Sequence, residues 1–206
     1  MQARKHRKPV PKAQRRAATR AALMKAARVL FAAKGYEATG TEELVAAASV
    51  TRGALYFHFK DKVDLFTAVF DDVSAEIRGI VDSAADKATG ARSALVAGGN
   101  AFLDAATEES RRRIYLVDAL SVLGLGTWRA FDEKHGTSSL RAGVRAAMLE
   151  GGLGQRAAEP ITRVLNGAFN DLAIWISEAP PEERATRRAA ARRAVAATIA
   201  GLFPEP

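Results

Sequence analysis

The stretch of sequence that decides the fold runs over residues 36–62 and reads YEATGTEELVAAASVTRGALYFHFKDK. Apolar residues recur in it at three- and four-residue steps, and this spacing predicts two short helices, at about 41–48 and 51–59. Residues 49–50 form the turn between them, and Thr51 has the hydroxyl side chain that is typical of a helix N-cap. Two short helices joined by a tight turn predict a helix-turn-helix, whose second helix enters the major groove of DNA.

The rest of the chain also shows helical periodicity, and no part of it alternates with the period of two that is typical of half-buried strands. Alanine, leucine, arginine and glutamate are abundant, and all four favour helices. Gly35 is expected to end the first helix, and Thr39 or Thr41 to cap the second. We therefore predict an all-α protein of about nine helices, near 12–34, 41–48, 51–59, 61–83, 91–107, 109–123, 127–150, 159–178 and 181–202.

The composition argues against several classes of protein. The 206 residues include no cysteine, so disulfides and thiolate metal sites are excluded. The three histidines are not spaced for a metal site, and the sequence holds no Gly-x-Ser-x-Gly elbow or phosphate-binding glycine loop. We therefore expect no catalytic residue, no metal site and no cofactor, and no enzyme. No run of 18 apolar residues occurs, so we expect a cytoplasmic protein without a membrane partner.

The basic residues are concentrated at one end of the chain. Of the 31 lysines and arginines, eleven precede the first acidic residue, Glu37, which leaves 20 basic against 23 acidic residues elsewhere. Residues 1–15, with Pro9 and Pro11, predict a basic flexible arm. A basic end beside a helix-turn-helix favours a polyanionic partner, namely double-stranded DNA. A solubilising tail is the alternative for residues 1–12.

The helix-turn-helix stretch resembles that of the TetR (tetracycline repressor) family of bacterial transcription regulators. The segments that carry the resemblance are Gly35-Tyr36-Glu37-Ala38-Thr39, Leu44-Val45-Ala46, Val50-Thr51-Arg52-Gly53-Ala54-Leu55-Tyr56-Phe57-His58-Phe59 and Lys62. Ser49 departs from the family's usual glycine and is strained if its φ is positive, and Gly40 replaces the usual Thr or Ser. The resemblance implies a DNA-binding domain at 16–76 and a ligand-binding and dimerisation domain at 77–206. It further implies a repressor that binds a palindromic operator as a homodimer.

The second helix of the motif has side chains that suit a DNA-reading surface. Arg52 can make a bidentate contact with guanine, and the small side chains of Gly53 and Ala54 let the backbone approach base edges closely. Leu55 and Phe59 lie four residues apart and are expected to face the core. The complete set of candidate DNA contacts is Thr39, Thr41, Glu42, Thr51, Arg52, Gly53, Ala54, Tyr56, Lys60 and Lys62.

The resemblance divides most of this set between two roles. It assigns phosphate contacts to Thr41, Thr51, Tyr56 and Lys62, and base contacts to Glu42, Arg52, Gly53 and Ala54. Glu42 is unfavourable beside DNA unless its carboxylate accepts from cytosine N4. For Tyr56 the alternative is a packing role, and for Lys60 it is a solvated charge.

The C-terminal two thirds carry many large apolar side chains, and the resemblance implies that they enclose an unknown small apolar or amphipathic effector. The candidate ligand contacts are Phe102, Tyr115, Asp118, Trp128, Phe131, Asn166, Phe169 and Asn170. His135 is a further candidate polar group, and glycines at 124, 126, 143 and 167 leave room between helices. Any one of these residues has an alternative role in ordinary core, surface or interface packing.

The resemblance also implies that the last two helices, 159–178 and 181–202, form the homodimer interface. Their apolar faces consist of Ile161, Leu165, Ala168, Phe169, Leu172 and Ile176 in the first, and Val195, Ile199 and Leu202 in the second. The other face of the last helix carries Arg187, Arg188, Arg192 and Arg193 and predicts a solvated stripe. The alternative class of function is an architectural DNA-binding protein or a quorum-type receptor without repression. Binding with little sequence preference would indicate the architectural protein.

Overall fold

The computed structural model describes residues 11–203, and in that range the chain forms helices and no strand. The all-α prediction is therefore confirmed. The α-helices are α1 (Lys12–Ala38), α2 (Thr41–Ala47), α3 (Arg52–His58), α4 (Lys62–Ala85), α5 (Ala91–Thr107), α6 (Glu109–Arg112), α7 (Ala119–Asp132), α8 (Ser138–Glu150), α9 (Ala158–Ser177) and α10 (Arg184–Leu202). Two π-helical turns, Arg113–Asp118 and Glu133–Thr137, join α6 to α7 and α7 to α8.

The π-helical turns make Glu109–Glu150 one continuous helical run, where the sequence predicted two helices separated at Gly124. Gly124 does leave helical geometry, with a φ of 73°, so it kinks the run without ending it. The last helix begins at Arg184 and not at Pro181, because residues 181–183 form a turn.

The chain divides into two compact units, Met1–Val69 and Phe70–Pro206, so the division falls inside α4 and before the expected position after residue 76. The expected arm at 1–15 overlaps α1, which already begins at Lys12. Pro11 precedes it with a φ of −53°, which suits a helix start, and the residues that follow are good helix formers. The first ten residues of the expected arm lie outside the described part of the chain.

The N-terminal unit is held together by an aromatic cluster. Phe31 and Phe66 are fully buried, and with Tyr36 they form three ring contacts at centroid distances of 5.3–5.9 Å. Gly35 takes a φ of 86° and interrupts α1 where the sequence predicted its end. Ser49 has a φ of 54°, so the strain expected of a serine in this turn is present.

The start of α2 differs from the prediction that Thr39 or Thr41 caps it. Gly40 occupies the N-cap position, and no side chain caps the helix. The hydroxyl of Thr39 points inward and donates to the carbonyl oxygen of Gly35 at 2.7 Å. Because the helix is interrupted at Gly35, the carbonyl oxygen of this residue needs another donor. The hydroxyl of Thr39, which is fully buried, supplies it.

In the C-terminal unit α5 packs against α8, α9 and α10. Gly99 permits this approach, because a Cβ there would lie 3.0 Å from the ring of Phe169 and 3.1 Å from Val195. Gly143 likewise faces Leu95, as the sequence suggested. At Gly124, Gly126 and Gly167, which were expected to make the same kind of room, a Cβ would meet nothing within 4 Å.

The predicted faces of the last two helices turn inward. Leu165, Phe169 and Ile176 of α9, and Val195 and Ile199 of α10, are buried inside the unit. They are buried because α5 already packs against both helices.

The arginines of α10 are not simply solvated either. Arg188 donates to the hydroxyl of Thr107 at 3.1 Å, and both Arg188 and Arg192 pair with Asp104. Arg187 lies over the ring of Trp175 at 5.1 Å. These contacts tie α10 to α5 and α9.

Candidate nucleic-acid interface and ligand cavity

Helix α3 has one buried and one exposed face. Leu55 and Phe59 are 1% and 3% exposed, as predicted, whereas Arg52, Gly53 and Tyr56 are exposed on the opposite side. The hydroxyl of Thr51 accepts a hydrogen bond from the backbone N–H of Ala54 at 3.2 Å. This cap fixes the first turn of the helix, from which its outward side chains project.

Two of the predicted base-reading residues hold each other in place. A guanidinium nitrogen of Arg52 lies 2.8 Å from a carboxylate oxygen of Glu42, across the helix-turn-helix. The guanidinium also lies over the ring of Tyr56, at 5.7 Å from its centroid. Hydrogen bonding to Tyr56 and then to Glu42 raises the pKa of Arg52, so the side chain is a permanent cation. Because both partners are exposed, the pair orients Arg52 more than it stabilises the fold.

The ammonium of Lys62 binds groups of the N-terminal unit itself. It donates to the carbonyl oxygens of Tyr36 and Thr39 at 3.0 and 3.2 Å, and it lies 4.0 Å from the centroid of the Tyr36 ring. The ammonium therefore satisfies carbonyls that α1 leaves without helical partners. A phosphate contact by Lys62 would have to compete with these bonds, and Thr39 is buried and cannot reach a partner outside the unit.

The N-terminus of α4 is occupied by carboxylates. Asp61 accepts from the backbone N–H of Asp64, and Asp64 accepts from the backbone N–H of Lys60. Two negative side chains at this helix end repel a phosphate beside Lys62, where the resemblance implies a phosphate contact. The side chain of Lys60 is exposed, and Thr41 is half-buried, so both remain available as candidates.

Arg16, Arg20 and Phe57 were not among the predicted contacts, and all three are exposed near α3. Phe57 is 64% exposed, with the guanidinium of Arg16 over its ring at 4.9 Å, and Arg20 lies over the ring of Phe59 at 5.1 Å. Burial, followed by the charges of Arg16 and Arg20, lowers the pKa of His58 and keeps its imidazole neutral. The pattern of aromatic residues after a basic α1 was visible in the sequence, but their pairing depends on how α1 packs on α3.

The C-terminal unit contains a cavity of about 140 Å³ that is partly open to solvent. Four of the eight predicted ligand contacts line it: Phe102, Tyr115, Asn166 and Phe169. The other four do not: Asp118, Trp128, Phe131 and Asn170. Phe131 packs behind the cavity wall, with its ring 5.4 Å from Phe70 and stacked on His135 at 6.3 Å.

Two polar residues of the cavity lie where α7 meets the second π-helical turn. Asp132 and His135 line the cavity, and Oδ2 of Asp132 accepts from Thr137 at 2.9 Å and from Asn166 at 2.7 Å. Asp132 was missed because a π-turn shifts the helix register, so that a spacing of 3.6 residues no longer predicts which side chains face inward. In the sequence, only its position next to Phe131 indicated that Asp132 could face the cavity.

A cluster of charges connects this turn to α4. Asp71 accepts from the ammonium of Lys134 at 2.7 Å and lies 2.6 Å from Nε2 of His135. Arg78, which lines the cavity, donates to the carbonyl oxygen of Lys134 at 3.3 Å and pairs with Asp82. The cavity wall and the C-terminal part of α4 are therefore mechanically linked.

Comparisons with known proteins cover both units. Residues 23–69 match the sequence profile of bacterial regulatory proteins of the tetR family, and residues 92–202 match that of the tetracyclin repressor-like C-terminal domain. The chain is 28% identical over 152 residues to the transposon Tn10 TetC protein of Escherichia coli, across 74% of this chain and 77% of that protein. Over 53 residues it is 45% identical to the HTH-type transcriptional regulator AcrR of Shigella flexneri, across 26% and 25% of the two chains.

The solved structures include a similar protein over the full length. The crystal structure of a TetR-family transcriptional regulator from Pectobacterium atrosepticum is 30% identical, with a TM-score of 0.79. The match covers 96% of this chain and 100% of that one.

Proposed function

We propose, from the premise that the chain belongs to the TetR family of bacterial transcription regulators, that it is a ligand-responsive repressor. It binds a palindromic operator in the cytoplasm as a homodimer, and each subunit inserts α3 into a major groove. Two-fold symmetry of the protein then places the half-sites about one helical turn, roughly 34–36 Å, apart.

The exposed face of α3 is the observation that carries this proposal. Arg52 is held outward by Glu42 and Tyr56, Gly53 leaves the backbone accessible, and Leu55 anchors the opposite face in the core. An oriented guanidinium beside a bare backbone suits direct reading of a guanine edge. Arg16 and Arg20 add positive charge on the adjoining helix, which favours the phosphate backbone.

The outward stripe of α9 supports a homodimer. Val164, Ile174 and Trp175 are 62%, 41% and 38% exposed. Val164 and Trp175 are separated by about three turns and therefore lie on the same side of the helix, and Ile174 adjoins Trp175. The exposed side of α10 is rich in alanine, which lets a partner helix approach closely. A second copy of the chain is therefore the proposed occupant of this α9–α10 surface.

Glu109–Glu150 is long and apolar enough to cross a membrane by length and composition, and only 11% of its most apolar window is buried, so burial in a core does not account for its apolar character. Val117 and Leu120, which are about half exposed, contribute to this apolar character. In a regulator that binds DNA, subunit contact explains such exposed apolar residues better than a bilayer does.

The dimer is tested by light scattering of the purified full chain. Val164→Glu places a charge on the proposed surface, and we expect it to shift the mass toward the monomer. Leu149→Glu is the matched control, because Leu149 is 68% exposed on α8, outside the stripe, and should leave the mass unchanged. A monomeric parent chain, or equal behaviour of the two variants, would contradict the proposed interface.

Operator binding is tested by selection from random duplexes at moderate ionic strength, followed by fluorescence anisotropy with the selected duplex. We expect an inverted repeat bound by two chains and a steep dependence of affinity on salt. Deleting residues 1–12 should weaken binding and flatten that dependence. Binding of all duplexes with similar affinity would overturn the repressor proposal in favour of an architectural role.

A further inference from the structure

Two side chains of the cavity lining, Tyr115 and Asp132, have hydrogen-bonding groups that no described residue uses, and we call this pair the polar corner. Tyr115 lines the cavity and is 9% exposed, and within the range that the structure describes no residue bonds to its hydroxyl. Oδ2 of Asp132 already accepts two bonds, whereas Oδ1 accepts none from the described residues. A Cβ at Gly136 would lie 3.6 Å from Oδ1, so the glycine leaves this oxygen uncovered.

Both groups face the cavity and are available to a ligand, because no bond within the described residues occupies them. Burial, followed by the nearby charge of Asp132, raises the pKa of Tyr115, so its hydroxyl keeps its proton and can donate. The corner therefore offers one donor, on Tyr115, and one acceptor, on Asp132. A ligand group that accepts once and donates once satisfies both.

A hydroxyl group meets this requirement, and the common alternatives do not. A carboxylate has no proton to donate and is repelled by Asp132. A carbonyl accepts from Tyr115 but leaves Oδ1 without a donor. An ammonium has no lone pair to accept from the hydroxyl of Tyr115, so it leaves that donor without a partner.

The remaining walls set the size and shape of the ligand. The cavity volume of about 140 Å³ is close to the roughly 150 Å³ of an apolar protein cavity that binds benzene. Phe102 and Phe169 line it, and the ring of Tyr115 stacks on Phe70 at 5.5 Å. Flat aromatic walls around such a volume favour a single aromatic ring.

We propose that the cavity binds a neutral single-ring phenol whose hydroxyl donates to Oδ1 of Asp132 and accepts from the hydroxyl of Tyr115. The identification of this ligand as the effector rests on the proposed function, whereas its binding to the cavity does not. Asn166 and Thr137 act as positioning residues, since they fix the other oxygen of Asp132.

Calorimetric titration of the full chain without DNA tests the ligand class. Phenol, toluene, benzoate and benzylamine are the probes, since they have similar rings and differ in the group that would face the corner. We expect phenol to bind at least tenfold more tightly than toluene, and benzoate not to bind measurably. Equal binding of phenol and toluene, or tighter binding of benzoate or benzylamine, would overturn the proposal.

Tyr115→Phe removes the hydroxyl and keeps the ring that packs against Phe70. We expect it to abolish the preference for phenol over toluene while toluene binding changes little. Ser121→Ala removes an exposed hydroxyl outside the cavity and should keep the full preference.

If Tyr115→Phe unfolds the chain in a thermal melt, Asp132→Asn provides a second variant. Thr137 and Asn166 both donate to Oδ2, so the amide oxygen of the variant takes that position and its NH2 group faces the ligand. The acceptor is then lost, and phenol affinity should fall at least fivefold while toluene affinity stays constant.

Anisotropy with the selected operator duplex separates the two proposals. Release of the duplex by phenol, but not by toluene at the same concentration, supports both. Phenol binding without release supports the ligand class and contradicts the role as effector. Sequence-specific DNA binding by a chain that does not bind phenol overturns the ligand class and leaves the regulator intact.

Discussion

The DNA-reading surface and the ligand cavity differ in how their residues are distributed along the chain. The surface is contained in a short segment, and its key side chains are exposed and oriented by neighbours such as Glu42 and Tyr56. The cavity is assembled from α4, α5, α7, α8, α9 and the π-turns, so its side chains come from distant parts of the chain. Side chains of the surface can therefore change with little effect on folding, whereas ligand recognition in the cavity depends on the packing of the whole unit.

The energetic consequences of a substitution should therefore differ between the two regions. At the surface, removing a charge changes DNA affinity while stability stays nearly constant, because exposed ion pairs contribute little to folding. In the cavity, even one added methyl group meets fixed neighbours. Substitutions that separate affinity from stability test this distinction directly.

The largest expected effect is on DNA affinity, from Arg52→Ala. We expect operator binding to weaken about ten- to a hundredfold and preference at one base pair to relax, because the guanidinium is the one long donor at that position. The melting temperature should stay nearly unchanged, since the Arg52 side chain is exposed. Anisotropy against the operator and against single-base variants measures both effects. A uniform loss on all sequences would make Arg52 a phosphate contact instead.

The next effect is on stability, from Gly99→Ala in α5. The new methyl group would lie 3.0 Å from Phe169 and 3.1 Å from Val195, so the free energy of unfolding should fall by about 1–3 kcal/mol. Gly167→Ala in α9 is the control, because a Cβ there meets nothing within 4 Å and alanine favours the helix. Denaturant titration should show opposite signs for the two variants. Equal signs would mean that α5 has more freedom to move than its packing indicates.

The same contrast explains what the sequence could predict. The helix-turn-helix, the buried positions of Leu55 and Phe59 and the break at Gly35 were predictable, because each depends on residues close by in the chain. The cavity lining was predicted only in part. Asp118 ends the π-turn Arg113–Asp118 and Trp128 follows it, and this turn shifts the register of the helix. The lining residues of α9 depend on which helices pack against it. The bonds of Lys62 were not predictable for a related reason: the carbonyls that it binds become available only when α1 is interrupted and α4 packs beside it.

Lys62→Met tests whether this lysine stabilises the fold or contacts phosphate. Removal of its ammonium leaves the carbonyls of Tyr36 and Thr39 without that donor, so unfolding free energy should fall by about 1–2 kcal/mol. The slope of DNA affinity against salt should not change. Lys60→Met is the matched control, since the Lys60 side chain is exposed; it should keep its stability and lower the slope by about one. If Lys62→Met lowered the salt slope and Lys60→Met did not, Lys62 would be the phosphate contact.

The smallest effect concerns the link between α4 and the cavity wall. Burial alone would raise the pKa of Asp71, but hydrogen bonds from Lys134 and His135 outweigh it and lower the pKa below its ordinary value of 3.8. The ionised carboxylate thus stabilises the folded state above about pH 4, and this contribution is lost as the pH falls through the lowered value.

Asp71→Asn should therefore lower the melting temperature slightly at pH 7, and the difference from the parent should shrink as the pH falls below 4. The effect is small because the Asp71 side chain is 40% exposed and solvent screens its charges. Melting curves between pH 7 and pH 3 measure it, with Asp86→Asn as the control because Asp86 is an exposed residue outside the cluster. A difference that stays constant over this range would show that the carboxyl group acts through packing, and that the contact between α4 and the cavity wall does not depend on charge.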